Sequence, residues 1–300
     1  MRLFAISGIE VYLHWTWFLV VIYEFERPMG RYSSPIWNVL EVLALFGIIT
    51  LHEFGHAFAC RQVGGTANRI VLWPLGGVAF VSPPQRPGAT LWSIAAGPLV
   101  NVALFVALFP IGLLGAWYDW SRTAPNLHIF MDMVLGINAL LLIFNLLPIY
   151  PLDGGQILRS LLWYGLGRAR SLMVTTVVGF IGMSALVVYA VLVHSLWIGI
   201  IAAFVLYSCW GGLQHARALA RLAKLPRREG FACPSCKSTP LAGAYWKCES
   251  CQQRFDTFLT GAVCPHCGHQ DATTQCADCG RFYPFAEWVA PAPVTTVTAR

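Results

Sequence analysis

Residues 52–56 read His-Glu-Phe-Gly-His. On a helix, His52 and His56 stand one turn apart on one face, where both imidazoles can hold one metal ion. Glu53 lies beside that face, placed to take a proton from a metal-bound water. Short matches of this kind arise by chance, so the surroundings decide. Between residues 37 and 59 the only ionisable side chains are Glu41, His52, Glu53 and His56. A charge at mid-membrane costs about 2.5–3.5 kcal/mol on insertion scales, so ionisable groups kept in such a run point to function. The bland alternative is a packed polar helix. The spacing and setting favour a zinc site.

A second stretch runs Asn145-Leu-Leu-Pro148-Ile-Tyr-Pro151-Leu152-Asp153-Gly154-Gly155. Pro148 and Pro151 break an apolar helix. An Asp before Gly-Gly usually marks a turn or a helix cap, and Gln156 three residues on fits a cap. Asp153 is also the best acidic candidate for the third ligand that a catalytic zinc takes beside two histidines. Asn145 faces the same break and is placed to hydrogen-bond a substrate carbonyl.

Ten cysteines fall into two groups. Cys60 and Cys209 are isolated and read as packing residues. The others form four Cys-x-x-Cys pairs: Cys233/Cys236, Cys248/Cys251, Cys264/Cys267 and Cys276/Cys279, with 11, 12 and 8 residues between pairs. Those intervals suit two structural zinc ribbons, the first pair taken with the second and the third with the fourth. A repeat supports this: Arg-Phe255 follows one pair as Arg-Phe282 follows another. A disulfide framework is the alternative, disfavoured if the module faces the cytosol.

These groups need a scaffold, and the composition says which. Of 300 residues, 57% are hydrophobic and 11% charged, against about 25% charged in an average soluble domain. Six apolar segments can cross about 30 Å of hydrocarbon: residues 11–26, read as a retained first span, then 37–60, 90–117, 128–150, 171–193 and 195–213. Residues 62–88 are rich in Pro and Gly and carry two β-like runs, a hairpin that could offer an edge to an extended peptide; the alternative is a plain cytosolic loop. The expected fold is therefore membrane all-α, about six transmembrane helices with a short β-hairpin or re-entrant element, plus a small C-terminal zinc-ribbon module. With the N-terminus inside, inner segments carry Arg2, Arg61, Arg69, Arg86, Arg159, Arg168, Arg170 and the basic run from Arg217. Outer loops carry only Arg27, Arg31 and Arg122. Both termini are then cytosolic, in a membrane expected to be the plasma (inner) membrane. His52 lies about 22 Å along the second span, toward the cytosolic face.

The two polar stretches together resemble the site-2 protease family of intramembrane zinc metalloproteases, and Gly97-x-x-x-Asn101 between them fits as well. The resemblance covers roughly residues 1–213. It implies that His52, His56 and Asp153 hold the catalytic zinc, that Glu53 is the catalytic base, and that Asn145 positions substrate or stabilises the oxyanion. The implied substrate is a transmembrane protein segment within the bilayer. Many members carry a PDZ or CBS domain, and neither pattern is visible here. The six-span plan and His14 resemble the sporulation-type branch, although His14 could equally be a packing residue.

The expected domains are 1–213, an intramembrane metalloprotease domain; 214–230, a basic juxtamembrane linker; 231–286, tandem zinc ribbons; and 287–300, a disordered tail. From Arg227 onward seven Arg or Lys face six Asp or Glu, and two four-thiolate zinc sites would add about −4. Such a module lacks the positive footprint of a nucleic-acid reader, so a protein partner is expected. A catalytically silent scaffold binding partner helices is the competing function, and it would have no need of Glu53. A metal transporter would show a ligand path or repeated halves, whereas the intramembrane ligands here form one cluster.

Overall fold

The computed structural model describes residues 1–18, 31–73 and 76–288. It divides into two compact units, Met1–Ala218 and Leu219–Arg300.

The first unit opens with a hairpin that composition did not announce. Strand β1 (Arg2–Ile6) pairs antiparallel with β2 (Ile9–Leu13). The expected first span thus begins too early, because residues 11–13 are strand; Val11 is fully buried in the core. The reason is alternation: Ile9 and Val11 turn to one face of the pleat, where a helix would scatter them. Residues 19–26 of that span lie outside the described residues.

Helix α1 (Ile36–Gln62) carries His52, Glu53 and His56. It is followed by the expected hairpin, β3 (Thr66–Trp73) and β4 (Gly76–Ser82). Strand β2 pairs parallel with β3, giving one four-stranded sheet in the order β1-β2-β3-β4. The inward faces of β2 and β3 supply Ile9, Val11, Ile70 and Leu72, and these pack on Ile49, Phe54, Ala57 and Cys60 of α1. Arg61 fastens the helix end to the sheet by donating to the carbonyls of Ala67 and Gly8. The sheet is thereby seated against the helix that bears the His pair, and β4 is one of its two edges.

Helices α2 (Pro87–Trp117), α3 (Trp120–Thr123) and α4 (Pro125–Leu146) follow. A non-helical loop then leads to α5 (Asp153–Leu192), which is broken at Gly167, where φ is 76°. Helix α6 (Leu196–Ala223) follows, its last turn lying beyond the boundary at Ala218. Five helices among the described residues are long and apolar enough to cross a membrane. The α5–α6 joint is as tight as its sequence suggests, with His194 at φ 51°.

The second unit contains two minimal hairpins, β5 (Trp246–Lys247) with β6 (Arg254–Phe255), and β7 (Thr274–Gln275) with β8 (Phe282–Tyr283). Between them lies the short helix α7 (Thr257–Thr260), capped by the Asp256 carboxylate. The expected tail begins two residues too early. Glu287 and Trp288 belong to a 3-10 turn, Phe285–Trp288, and Trp288 is wholly buried with Phe258, Cys233 and Cys276. Residues 289–300 lie outside the described residues.

Candidate metal centres

The loop between α4 and α5 sets the third ligand of the first centre. Pro148 and Pro151 prevent the helix from continuing, and the Tyr150–Pro151 peptide is cis. Ile149 anchors the loop in a cluster with Met183, Val205 and Cys209. The Cys209 thiol donates to the Tyr150 carbonyl at 2.7 Å, and Gln156 Nε2 to that of Pro151 at 3.0 Å. Asp153 then starts α5, but it is not its cap. The capping position is Leu152, and Asp153 makes no cap hydrogen bond, because its carboxylate points at the histidines instead.

Asp153 Oδ2 lies 3.1 Å from His52 Nε2 and 3.3 Å from His56 Nε2, and the two Nε2 atoms are 3.1 Å apart. Three ligands on a tetrahedral zinc with bonds of about 2.0–2.1 Å would stand roughly 3.3 Å from one another. The donor set and its spacing therefore fit zinc, with a fourth position left for water or substrate.

Both imidazoles are oriented through their other nitrogen. His56 Nδ1 is 2.9 Å from the Ser93 carbonyl, which can only accept, so Nδ1 carries the proton and Nε2 is left as a lone pair. For His52 the tautomer is fixed by a chain of amides. Asn138 Nδ2 donates to the Asn101 main-chain carbonyl at 2.9 Å, so Asn138 Oδ1 must face Asn101 Nδ2, at 2.8 Å. That leaves Asn101 Oδ1 toward His52 Nδ1, at 2.5 Å. Partners of this kind are what hold metal-bound imidazoles in place. Asn101 and Asn138 are fully buried.

Glu53 is buried beside the histidines, and its Oε2 accepts the Ala79 N–H of β4 at 2.8 Å. That amide leaves the free edge of the sheet. Close approach is possible because Gly77 lacks a Cβ, which would lie 2.4 Å from Glu53 Cγ. At Gly97 a Cβ would lie 2.3 Å from His56 Nε2 and 2.8 Å from His52 Nε2, filling the space where the ligand atoms converge.

The other singled-out residues make no hydrogen bond to these ligands among the described residues. Asn145 is half-buried near the end of α4, and none of the hydrogen bonds among the described residues that build the centre involves it. His14 stacks on Trp73, with centroids 3.9 Å apart, and bonds Thr16. Glu41 is held by Arg31 at 3.2 Å and Tyr32 at 2.9 Å. The residues that sequence reading missed are Ser93, whose contribution is a carbonyl, and Asn138. An Asn in the middle of an apolar helix was the available signal, since such a group must find a partner.

In the second unit the ligands group differently from expectation. One cluster is Cys233, Cys236, Cys276 and Cys279; the other is Cys248, Cys251, Cys264 and Cys267. The first pair joins the fourth, and the second joins the third. The physical reason is that the ends of the module meet: Ala232 N donates to the Trp288 carbonyl, and Arg227 forms an ion pair with Asp278. The inner hairpin is enclosed between them, with Phe255 packed on Cys248 and Cys264. Sulfur separations across pairs are 3.6–3.7 Å. That is far from a disulfide bond of about 2.05 Å and close to the roughly 3.8 Å edge of a zinc tetrathiolate with bonds of about 2.3 Å. All four pairs sit in the same turn, the amide four residues after the first Cys bonding its carbonyl. The residue at that fourth place has positive φ: Lys237, Gln252, Gly268 and Gly280. The hydrogen bond between Cys236 and Cys276 lowers the pKa of the Cys236 thiol to about 4 and raises that of Cys276.

A His-Glu-x-x-His centre completed by an aspartate from a broken helix, set in an apolar bundle, defines a membrane-embedded metallohydrolase-type site. The sequence profile of peptidase family M50 matches residues 40–124 and 116–189, and the chain belongs to that family. A zinc metalloprotease of Methanocaldococcus jannaschii is 32% identical over 179 residues, 60% of this chain and 50% of that protein. Rip3 of Mycobacterium tuberculosis is 29% identical, over 67% of this chain and 55% of its own length. The chain thus spans about half the length of these curated relatives. The solved site-2 protease from M. jannaschii is similar at a TM-score of 0.50 and 26% identity, covering 71% of this chain and 94% of that one. With its apolar helices and this family, the chain is an integral membrane protein.

Two outcomes test this geometry. Gly97→Ala should displace the imidazoles and lower zinc bound at the membrane site without touching the ribbons, read by metal analysis at about two rather than about three zinc ions per chain. Replacing Cys276 and Cys279 by serine should expose Cys233 and Cys236 to alkylation while Cys264 and Cys267 stay protected; exposure of Cys264 and Cys267 with Cys233 and Cys236 protected would restore the sequential pairing.

Proposed function

We propose that the chain is an intramembrane zinc metalloendopeptidase that cuts a membrane-spanning segment of a protein substrate, as one step of regulated intramembrane proteolysis. The observation that carries this reading is the placement of Glu53, a buried carboxylate between the His pair and the free edge of β4. Zinc held by His52, His56 and Asp153 would lower the pKa of a bound water and polarise the scissile carbonyl.

The chain's own residues supply the rest. Glu53 takes the proton of the attacking water and returns it to the leaving amine. Asn101, Asn138 and Ser93 keep the imidazole lone pairs aimed at one point. A helical substrate has its backbone bonded internally and must unwind before it is cut. The edge of β4 offers an extended segment main-chain pairing that leads it past Glu53, and Asn145 positions its carbonyl or the oxyanion. A silent scaffold would need none of this alignment at Glu53.

On this reading both termini lie in the cytosol and the centre nearer that face, in a plasma (inner) membrane; the bias of Lys and Arg toward the inner segments supports the orientation. The two four-thiolate sites leave no position open for substrate, so their zinc is structural and the module serves a protein partner, presenting or selecting substrate. The domain plan is proposed as stated at the outset, with the module extended to Trp288.

Two experiments test the proposal. With tagged single-span candidates, Glu53→Gln should lower cleavage by about 10²–10⁴-fold while the intramembrane zinc stays bound; full proteolysis by that variant would remove Glu53 from the role of base. Reporters fused after Gln214 and Arg300 should read cytosolic and one inserted at Pro125 external; the opposite pattern would move the centre toward the outer leaflet.

A further inference from the structure

Of the two carboxylates at the membrane centre, Asp153 is a ligand and Glu53 is not. No metal bond therefore fixes where the Glu53 carboxylate lies. A glutamate side chain turns about three bonds, and without an anchor it would settle in several rotamers. Among the described residues its one hydrogen-bond partner is the Ala79 N–H, which donates to Oε2 at 2.8 Å. The other oxygen, Oε1, lies against Gly77. A Cβ there would stand 2.4 Å from Glu53 Cγ and 2.6 Å from both Cδ and Oε1. Gly77 is not among the residues with positive φ, so its backbone is one that any residue adopts. Glycine is needed at this place for room and not for a turn.

Strand β4 carries both groups in a fixed relation. Gly77 is paired with Leu72 of β3, and Ala79 with Ile70. Ile70 and Leu72 are wholly buried against α1, the helix that bears Glu53. The amide is tied through two strands back to the helix whose side chain it holds, so carboxylate and His pair share one frame.

We propose that the main-chain N–H of Ala79 and the bare Cα of Gly77 form a seat that positions Glu53 for the reaction, and that this amide stays with Glu53 when substrate binds. The inference rests on the reading of Glu53 as the base. It also limits the substrate. Each residue has one main-chain donor, so an extended segment laid along β4 pairs through the edge groups on either side of the Ala79 N–H.

The test uses the full-length protein in detergent and a tagged single-span substrate that the wild type cuts. Replacing Ala79 by lactic acid turns its amide into an ester, which removes the N–H and keeps the methyl group. This variant should lower kcat by at least about tenfold, the worth of one hydrogen bond to a charged group, with KM within about twofold and the membrane zinc retained. Gly77→Ala should show the same split. Combined, the two changes should cost less than the product of their separate losses, because both unseat one carboxylate. Hydrogen exchange gives a readout apart from activity: in Glu53→Ala the Ala79 amide should exchange about tenfold faster.

Unchanged kcat in the ester variant would overturn the seat. A rise in KM alone would overturn it too, by giving the amide to the substrate. So would a full product of losses in the combined form, or unchanged exchange at Ala79 in Glu53→Ala. If the ester variant loses its membrane zinc, Gly77→Ala carries the kinetic test; loss of that zinc in both would make β4 a support for the ligands and overturn the proposal. Failure of the underlying reading looks different: full cleavage by Glu53→Gln would remove Glu53 from the role of base, and the seat with it.

Discussion

Two neutral imidazoles must present their Nε2 lone pairs to one point in an apolar interior, and the rest of the membrane unit follows from that requirement. A neutral histidine has two tautomers, and only one leaves Nε2 free. The carbonyl of Ser93 selects it for His56. For His52 the selection is relayed from a main-chain carbonyl through Asn138 and Asn101, each amide orientation forcing the next. Three buried polar side chains in lipid would be costly singly; joined in a chain, each satisfies its neighbour. Helices α1, α2 and α4 are thereby held in one register.

Close approach is the second condition. The α2 backbone must run past the histidines without filling the ligand space, which only glycine at Gly97 allows. The third ligand comes from a helix that has to be broken, and two prolines break it inside the bundle. Main chain freed in that way cannot be left to lipid. It is satisfied instead by Cys209, Gln156 and short turns within the loop. On the opposite side, the sheet covers α1 and turns one edge amide to Glu53. Base, ligands and a peptide-binding edge are so collected from elements far apart in sequence.

Much of this was legible in the residues. The four side chains of the centre stood out because ionisable groups are rare in apolar runs, and the 62–88 hairpin because Pro and Gly bracket β-branched residues. Asn138 carried the same signal more faintly. The contribution of Ser93 is main chain, and no side-chain pattern reports it. The strands at residues 2–13 were hidden because a five-residue apolar strand and the start of a span look alike until pairing with β3 decides between them. Asp153 satisfied the rules for a cap, yet metal geometry claimed its carboxylate. The ribbon pairing failed for another reason: intervals between Cys pairs say how far a chain can reach, whereas burial of Trp288 against the start of the module decides which pairs meet.

The most direct measurement is a crystal structure of the full chain with anomalous scattering recorded at the zinc edge. The account requires a peak about 2.0–2.2 Å from His52 Nε2, His56 Nε2 and Asp153 Oδ2, with His52 Nδ1 still on Asn101 and His56 Nδ1 still on the Ser93 carbonyl. A zinc ion bound through either Nδ1, or no zinc at these three residues while both cysteine clusters are filled, would contradict it.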